Sequence, residues 1–223
     1  MRTVGALTIA LAAALGLGAL AAPASAQSTL SLVSDDTVAQ LREDDRVVGA
    51  MDAPVTLTAY VSMTCTHCAA WHNTVLPTLT ARYVDTGQVR IVYRDLPTPP
   101  REVAVDAAIL ARCVPAAKFD AVMDRLFRSQ PQFRSDDTVE ARQAKADQWL
   151  MSAGAVGGLN ADQVRLCIDS DANQAALDAR AAAARADGVN GTPWFFFNGQ
   201  PANFDYRNLA AYDTVIQPLL AGQ

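Results

Sequence analysis

The sequence predicts an α/β fold, a βαβ unit and a ββα unit separated by an all-helical insertion, and three observations predict it. Two short strand-like runs, Val55–Val61 and Val89–Tyr93, flank a stretch of helical periodicity. From Arg101 to Asp187 no convincing strand occurs and Ala-rich helical stretches dominate. A strand signal returns at Trp194–Phe197, and Asn198-Gly199 follows it at once.

Val55-Thr-Leu-Thr-Ala-Tyr-Val61 follows Pro54 and alternates apolar with small polar residues, as a buried strand does. Thr66 to about Val84 is helical in pattern, with Trp71, Val75, Leu79 and Tyr83 recurring every four residues. Pro77 should kink that helix, because it lacks the backbone donor and clashes with the preceding turn. Gly87 ends it, and Val89-Arg-Ile-Val-Tyr93 forms the next strand. Two strands joined by a helical crossover run parallel. In the insertion, breaks are expected at Pro115, Pro131, Gly154 and Gly157-Gly158. Asn160 reads as the N-cap of a helix over Ala161–Asp169, and a helix from Ala172 to Asp187 stops at Gly188. Asn198-Gly199 is the strongest short hairpin signal and leads to a partner strand near Gln200–Asn203. A last amphipathic helix covers about Tyr206–Leu220.

The N-terminus has a different character. Val4–Ala22 carries no charge, Arg2 precedes it, and Ala24-Ser-Ala26 follows, which together predict a secretory signal peptide cleaved after Ala26. An uncleaved anchor is the competing reading, since the run is nearly long enough to span a bilayer. Removing 1–26 leaves 197 residues (223 − 26) with 17 basic and 23 acidic side chains, a net charge of −6. That acidity argues against nucleic acid or anionic membranes as partners. The expected organisation is a signal peptide (1–26), an N-terminal arm (27–50) that forms a short arm or helix around Thr37–Glu43, the βαβ part (51–100), the helical insertion (101–187) and the ββα part (188–223).

Four cysteines remain: Cys65, Cys68, Cys113 and Cys167. In an oxidising compartment an even count invites pairing; four allow three connectivities, of which Cys65–Cys68 with Cys113–Cys167 is the obvious one. Cys65-Thr66-His67-Cys68 lies where a strand ends and a helix begins. The first helical turn has free N–H groups and the positive end of the helix dipole, which stabilise a thiolate at Cys65. His67, if protonated, adds a cation. Cys68, one turn further in, would be more buried and would resolve mixed disulfides. Only the reduced form has a thiolate, so the same stabilisation makes the disulfide oxidising. A pKa about 2.5 units below ambient pH supplies roughly 3.4 kcal/mol, or about 75 mV for two electrons.

C-x-x-C alone is shared with other sites. A c-type haem motif needs His after the second cysteine, where this chain has Ala69. Zinc needs four ligands, and His67 and His72 are the only histidines, with the other cysteines far along the chain. An inert structural disulfide is the remaining alternative. No metal or other cofactor is expected beyond the redox-active cysteine pair. Gly191-Thr192-Pro193-Trp194 immediately precedes the third strand. Pro193 is either an edge feature or a cis-proline opposite the cysteines that leaves backbone free for a substrate strand. Trp71, Trp149, Trp194 and Phe195–Phe197 read as core.

With these elements in hand the chain resembles the DsbA-like branch of the thioredoxin superfamily. The matching features are the strand into Cys65-Thr-His-Cys68, the strand end Tyr93-Arg-Asp-Leu-Pro97, the helical insertion, and Gly188-Val-Asn-Gly-Thr-Pro-Trp-Phe-Phe-Phe-Asn-Gly199. The resemblance covers nearly the whole chain after residue 26 and implies a thioredoxin-like fold with its two parts around the insertion. It makes Cys65 the attacking thiol, Cys68 the resolving one, and Thr192-Pro193 a cis-proline loop facing them. It implies oxidation of reduced exported proteins in the periplasm and re-oxidation by a membrane quinone-linked, DsbB-like partner. DsbA is itself a standard example of a strongly oxidising C-x-x-C enzyme, and that poise is carried over by resemblance. Relatives of alphaproteobacterial type carry a second disulfide at Cys113 and Cys167; two separately buried free thiols are the alternative.

The chain also departs from the enterobacterial pattern. Thr66 stands in place of Pro, and Ala59 in place of a buried Glu that handles protons. Thr192 before the proline is also similar to isomerases and reductases. Those usually carry an N-terminal dimerisation domain, for which residues 27–46 are too few, and a monomer is expected. The leading expectation is a disulfide oxidase of broad range. An isomerase or reductase on the same scaffold is second, and a non-enzymatic chaperone or binding module is third.

Overall fold

The seven residues Val55–Val61 form strand β2, and every one of them is buried, so both faces of this strand are covered. In this computed structural model, residues 39–134 and 136–222 are described. β1 (Arg46–Val48) and β3 (Val89–Asp95) lie to one side of β2, and β4 (Trp194–Phe197) and β5 (Gln200–Pro201) to the other, giving the order β1-β3-β2-β4-β5. β2 and β3 run parallel with Leu57 opposite Ile91, whereas β4 runs antiparallel to β2 with Phe197 opposite Leu57. β1 and β5 are antiparallel edges. The sequence reading assigned residues 46–48 to an arm without a strand. β5 stops two residues earlier than expected and β3 runs two residues further.

The crossover from β2 to β3 is helical throughout but in three pieces: α1 (Thr66–Thr74), α2 (Leu76–Leu79) and a π-helical turn (Thr80–Val84). Pro77 sits in the first turn of α2, where its missing donor has no intrahelical partner to lose. The expected interruption therefore falls at Val75 rather than within a continuous helix. Trp71, Val75, Leu79 and Tyr83 are all buried, as their spacing requires.

Residues 101–186 form five helices: α3 (Arg101–Cys113), α4 (Ala116–Arg128), α5 (Val139–Gly157), α6 (Ala161–Ile168) and α7 (Asp171–Ala186). Asn160 caps α6 in a reciprocal capping box with Gln163. The break expected at Gly154 is absent, and α5 runs straight through it. A Cβ there would lie 2.3 Å from Val164 Cγ2, so the glycine serves the close approach of α5 to α6. The hairpin after β4 has Asn198 at φ 48° and Gly199 at φ 83°, the left-handed pair that a two-residue turn demands. Helix α8 (Leu209–Ala221) starts three residues later than expected, after the Asn208 cap.

One core joins these parts, running from Val55 and Leu57 through Trp71 and Leu110 to Phe127 and Ile216. α4 docks on α1: Asn73 Nδ2 donates to the Phe127 carbonyl at 3.3 Å, and the His72 and Phe127 rings lie 4.8 Å apart. β3 is tied outward by buried charges. Arg94 pairs with Asp45 at 2.9 Å, and Asp95 is shared by Arg112 at 2.9 Å and Arg180 at 3.1 Å. The cleavage site at Ala26 and the start of the arm lie outside the described residues. Among the described residues no helix is long and apolar enough to cross a membrane.

Candidate active site

The site forms where β2 ends against the sheet and α1 begins. Cys65 has extended backbone (φ −76°, ψ 115°) and is the N-cap of α1, its sulfur accepting from the Cys68 N–H at 3.4 Å. The approach to it is held by small polar groups. The Cys65 N–H donates to the Ser62 carbonyl at 3.1 Å, and the Ser62 and Thr64 hydroxyls meet at 3.2 Å. Thr64 Oγ1 donates to the Thr98 carbonyl and the Thr98 N–H donates to Ser62 Oγ, both at 3.1 Å. Ser62, Thr64 and Thr98 were not singled out from the sequence; Ser62 and Thr64 flank Met63 just before the first cysteine, and Thr98, after β3, joins them only in the fold.

Thr192 and Pro193 come from the far end of the chain and face the cysteines. The Thr192–Pro193 peptide is cis, and the Cys65 sulfur lies 3.3 Å from the Thr192 carbonyl, to which its protonated form donates. The Thr192 hydroxyl is buried beside the two sulfurs. Cys65, Cys68, Thr192 and Pro193 thus converge across more than a hundred residues of sequence. Thr66 and His67 sit on the exposed side of the first turn of α1. His67 reaches Cys65 through its backbone N–H, which helps hold the thiolate.

The two thiols have opposite electrostatics. Cys65 is pulled down to about 5, chiefly by the hydrogen bond from the Cys68 thiol. Burial opposes this, and the Thr192 side chain and the backbone N–H groups of Cys68 and His67 reinforce it. Cys68 is completely buried, and desolvation first, then the neighbouring Cys65, push its thiol well above the ordinary value. At neutral pH Cys65 is a thiolate in reach of solvent and Cys68 a buried thiol. Ala59 lies buried in β2 between Tyr93 and Phe195.

The second cysteine pair lies elsewhere. Cys113 at the end of α3 and Cys167 in α6 form a disulfide with Cα atoms 6.3 Å apart. His72 is buried in α1 and faces Asp124 of α4, with Nε2 3.4 Å from Oδ1. Among the described residues no group of three or more His, Cys, Asp or Glu is arranged to hold a metal ion. Trp71 and Trp149 are buried as expected, but Trp194 is 36% exposed while Phe195–Phe197 behind it are buried, which corrects its reading as core. It stands at the strand's first position, where the sheet no longer covers it.

Comparison with known proteins agrees with this geometry. A thioredoxin family model matches residues 41–216. Two curated relatives carry the name "Putative protein-disulfide oxidoreductase". The one from Rickettsia bellii is 30% identical over 182 residues, covering 80% of this chain and 67% of the relative. The one from Rickettsia prowazekii is 31% identical over 174 residues, covering 77% of this chain and 61% of the relative. This chain therefore spans about two thirds of their length or slightly less. In fold it is similar to Wolbachia pipientis alpha-DsbA1, with TM-score 0.68 and 22% identity over 82% of this chain and 94% of that one. BdbD from Bacillus subtilis gives TM-score 0.68 at 16% identity, covering 80% and 94%.

Proposed function

We propose that this chain, which belongs to the thioredoxin family, is a DsbA-like thiol:disulfide oxidoreductase that works in the periplasm as a disulfide donor to reduced exported proteins. The observation that carries this reading is the split between the two thiols: Cys65 held near 5 and Cys68 held above its ordinary value. A thiolate exists only in the reduced protein, so stabilising it favours taking electrons from a substrate.

In the proposed reaction a substrate thiolate attacks Cys65 Sγ of the oxidised protein. The Cys65–Cys68 bond breaks, its electron pair stays on Cys68, and Cys68 takes up a proton that its buried surroundings favour. A second substrate thiolate then attacks the substrate sulfur of the mixed disulfide and expels Cys65. The low pKa of Cys65 makes it the better leaving group at this step. The substrate gains one disulfide and the protein is left with two thiols. Thr192 and Pro193 would present backbone to the substrate strand. His67 and Thr66 stand at the exposed rim, and re-oxidation would fall to a quinone-linked membrane partner of DsbB type.

The test is to mix the oxidised protein with a reduced, unfolded polypeptide bearing two thiols, alongside Cys68→Ala loaded as a mixed disulfide on Cys65. The wild type is expected to deliver one disulfide per molecule, and the variant to stay joined to its substrate only when that substrate carries a single thiol and so cannot expel Cys65. Activity that survives Cys65→Ser with Cys68→Ser would instead favour a chaperone, and rescue of scrambled disulfides by the reduced protein would favour an isomerase.

A further inference from the structure

We propose that Trp194 is a specificity-determining residue, whose exposed indole carries an apolar side chain next to the cysteine of the polypeptide being oxidised; this inference rests on the function proposed above.

β4 reads Trp-Phe-Phe-Phe. Its three phenylalanines are 3–4% exposed, whereas Trp194 is 36% exposed. More than a third of this large residue is thus open to solvent at the end of an interior strand whose other side chains are closed off. Its address is what gives it a use. Trp194 lies two residues beyond Thr192, whose carbonyl is 3.3 Å from the Cys65 sulfur. It pairs in register with Tyr60 of β2, and residues directly opposite share a sheet face. Alternation along β4 puts Phe196 on that face too, and the Tyr60 and Phe196 rings lie 5.7 Å apart. Tyr60 and Phe196 belong to an apolar cluster with Leu96 and Val189. Leu96 and Val189 in turn line an open groove of about 480 Å³ with Pro97, Pro99 and Gly188 and the polar Thr98, Arg185 and Asn190. Trp194 is therefore the exposed end of an otherwise buried apolar sheet face, on the strand that follows the Thr192–Pro193 loop beside the nucleophile.

The chemistry of the reaction identifies the occupant. A substrate has to bring a cysteine sulfur onto Cys65, and its neighbouring residues then fall within reach of Trp194. Cysteine is among the most buried residue types in folded proteins, so a reduced, unfolded chain presents its cysteines together with apolar residues that folding has yet to bury. Tryptophan is the side chain best suited to bind such a residue, offering a large rigid surface with few rotamers to fix.

The experiment uses two peptides, each with two cysteines, identical except that the first cysteine is flanked by Leu in one and by Ser in the other. Oxidised wild type, Trp194→Ala and Trp194→Phe are mixed with each, and equilibrium with glutathione is measured in parallel. Wild type is expected to oxidise the Leu peptide about tenfold faster than the Ser peptide, a hot-spot-sized effect. Trp194→Ala should lose that preference by slowing on the Leu peptide alone, with the Ser peptide changed less than twofold, and Trp194→Phe should keep most of it. The glutathione equilibrium should not move. Equal losses on both peptides, no loss on the Leu peptide, or a shifted glutathione equilibrium would overturn the assignment. A wild type that oxidises neither peptide would instead bring down the oxidase reading itself.

Discussion

The stability of the reduced protein should depend on pH through Cys65. In the folded protein this thiol titrates at about 5, against an ordinary value of 9.0. A group whose folded pKa is depressed adds stability that is complete above its unfolded pKa and is lost as pH falls through the folded one. The contribution thus grows from about pH 5 upward and is half developed at pH 7. Two pH units correspond to about 2.7 kcal/mol. Cys65 is partly open to solvent, and halving the figure for screening leaves about 1.4 kcal/mol. The perturbation is Cys65→Ser, which removes the titration and keeps a hydroxyl cap at the start of α1. Urea unfolding of the reduced wild type and of the variant at pH 5, 6 and 7 should show the wild type gaining roughly 1.4 kcal/mol relative to the variant over that range. Parallel curves would refute the claim that the folded site holds a thiolate, and with it the electrostatic basis of the proposed oxidising direction.

Other consequences are structural. Replacing Cys113 and Cys167 together by Ser opens a link across 54 residues, and urea unfolding should record a loss of roughly 2–4 kcal/mol with the Cys65 titration unchanged. Gly154→Ala puts a methyl 2.3 Å from Val164 Cγ2 and should cost about 1–3 kcal/mol by the same assay, as overpacking between helices does. His72 is held below its ordinary value by burial, with Asp124 and Asp120 pulling the other way and Arg128 adding to the depression. The folded protein should therefore lose stability as pH falls below the ordinary histidine range, and His72→Gln should flatten that limb of the unfolding curve.

Much of the scaffold can be read from residue patterns because its signals are local. Val55–Val61 and Trp194–Phe197 are short apolar runs bounded by turn residues, Asn160 has its capping partner three residues on, and Asn198-Gly199 has the backbone freedom its turn requires. The active-site thiols were legible for the same reason, since two cysteines at a strand-to-helix junction carry their chemistry with them. What escaped is long-range. β1 is three residues whose partner, β3, lies more than forty positions away, and Arg46 gives it no strand character of its own. Gly154 looks like a breaker until Val164 packs against it. The Arg94–Asp45 and Asp95–Arg112–Arg180 pairs exist only once β3, the arm, α3 and α7 are assembled. Trp194 reads as core by type, and only the position of its strand end beside Cys65 and Thr192 reveals it as surface.

The most direct test of the account is the reduction potential of the Cys65–Cys68 couple, measured by equilibrating the protein with glutathione buffers and quantifying the reduced fraction. A stabilised Cys65 thiolate beside a buried Cys68 thiol predicts a value near or above about −150 mV, that of a disulfide donor. A value near about −250 mV would mean that the protein gives electrons rather than takes them, and would contradict the oxidase reading in favour of a reductase or isomerase.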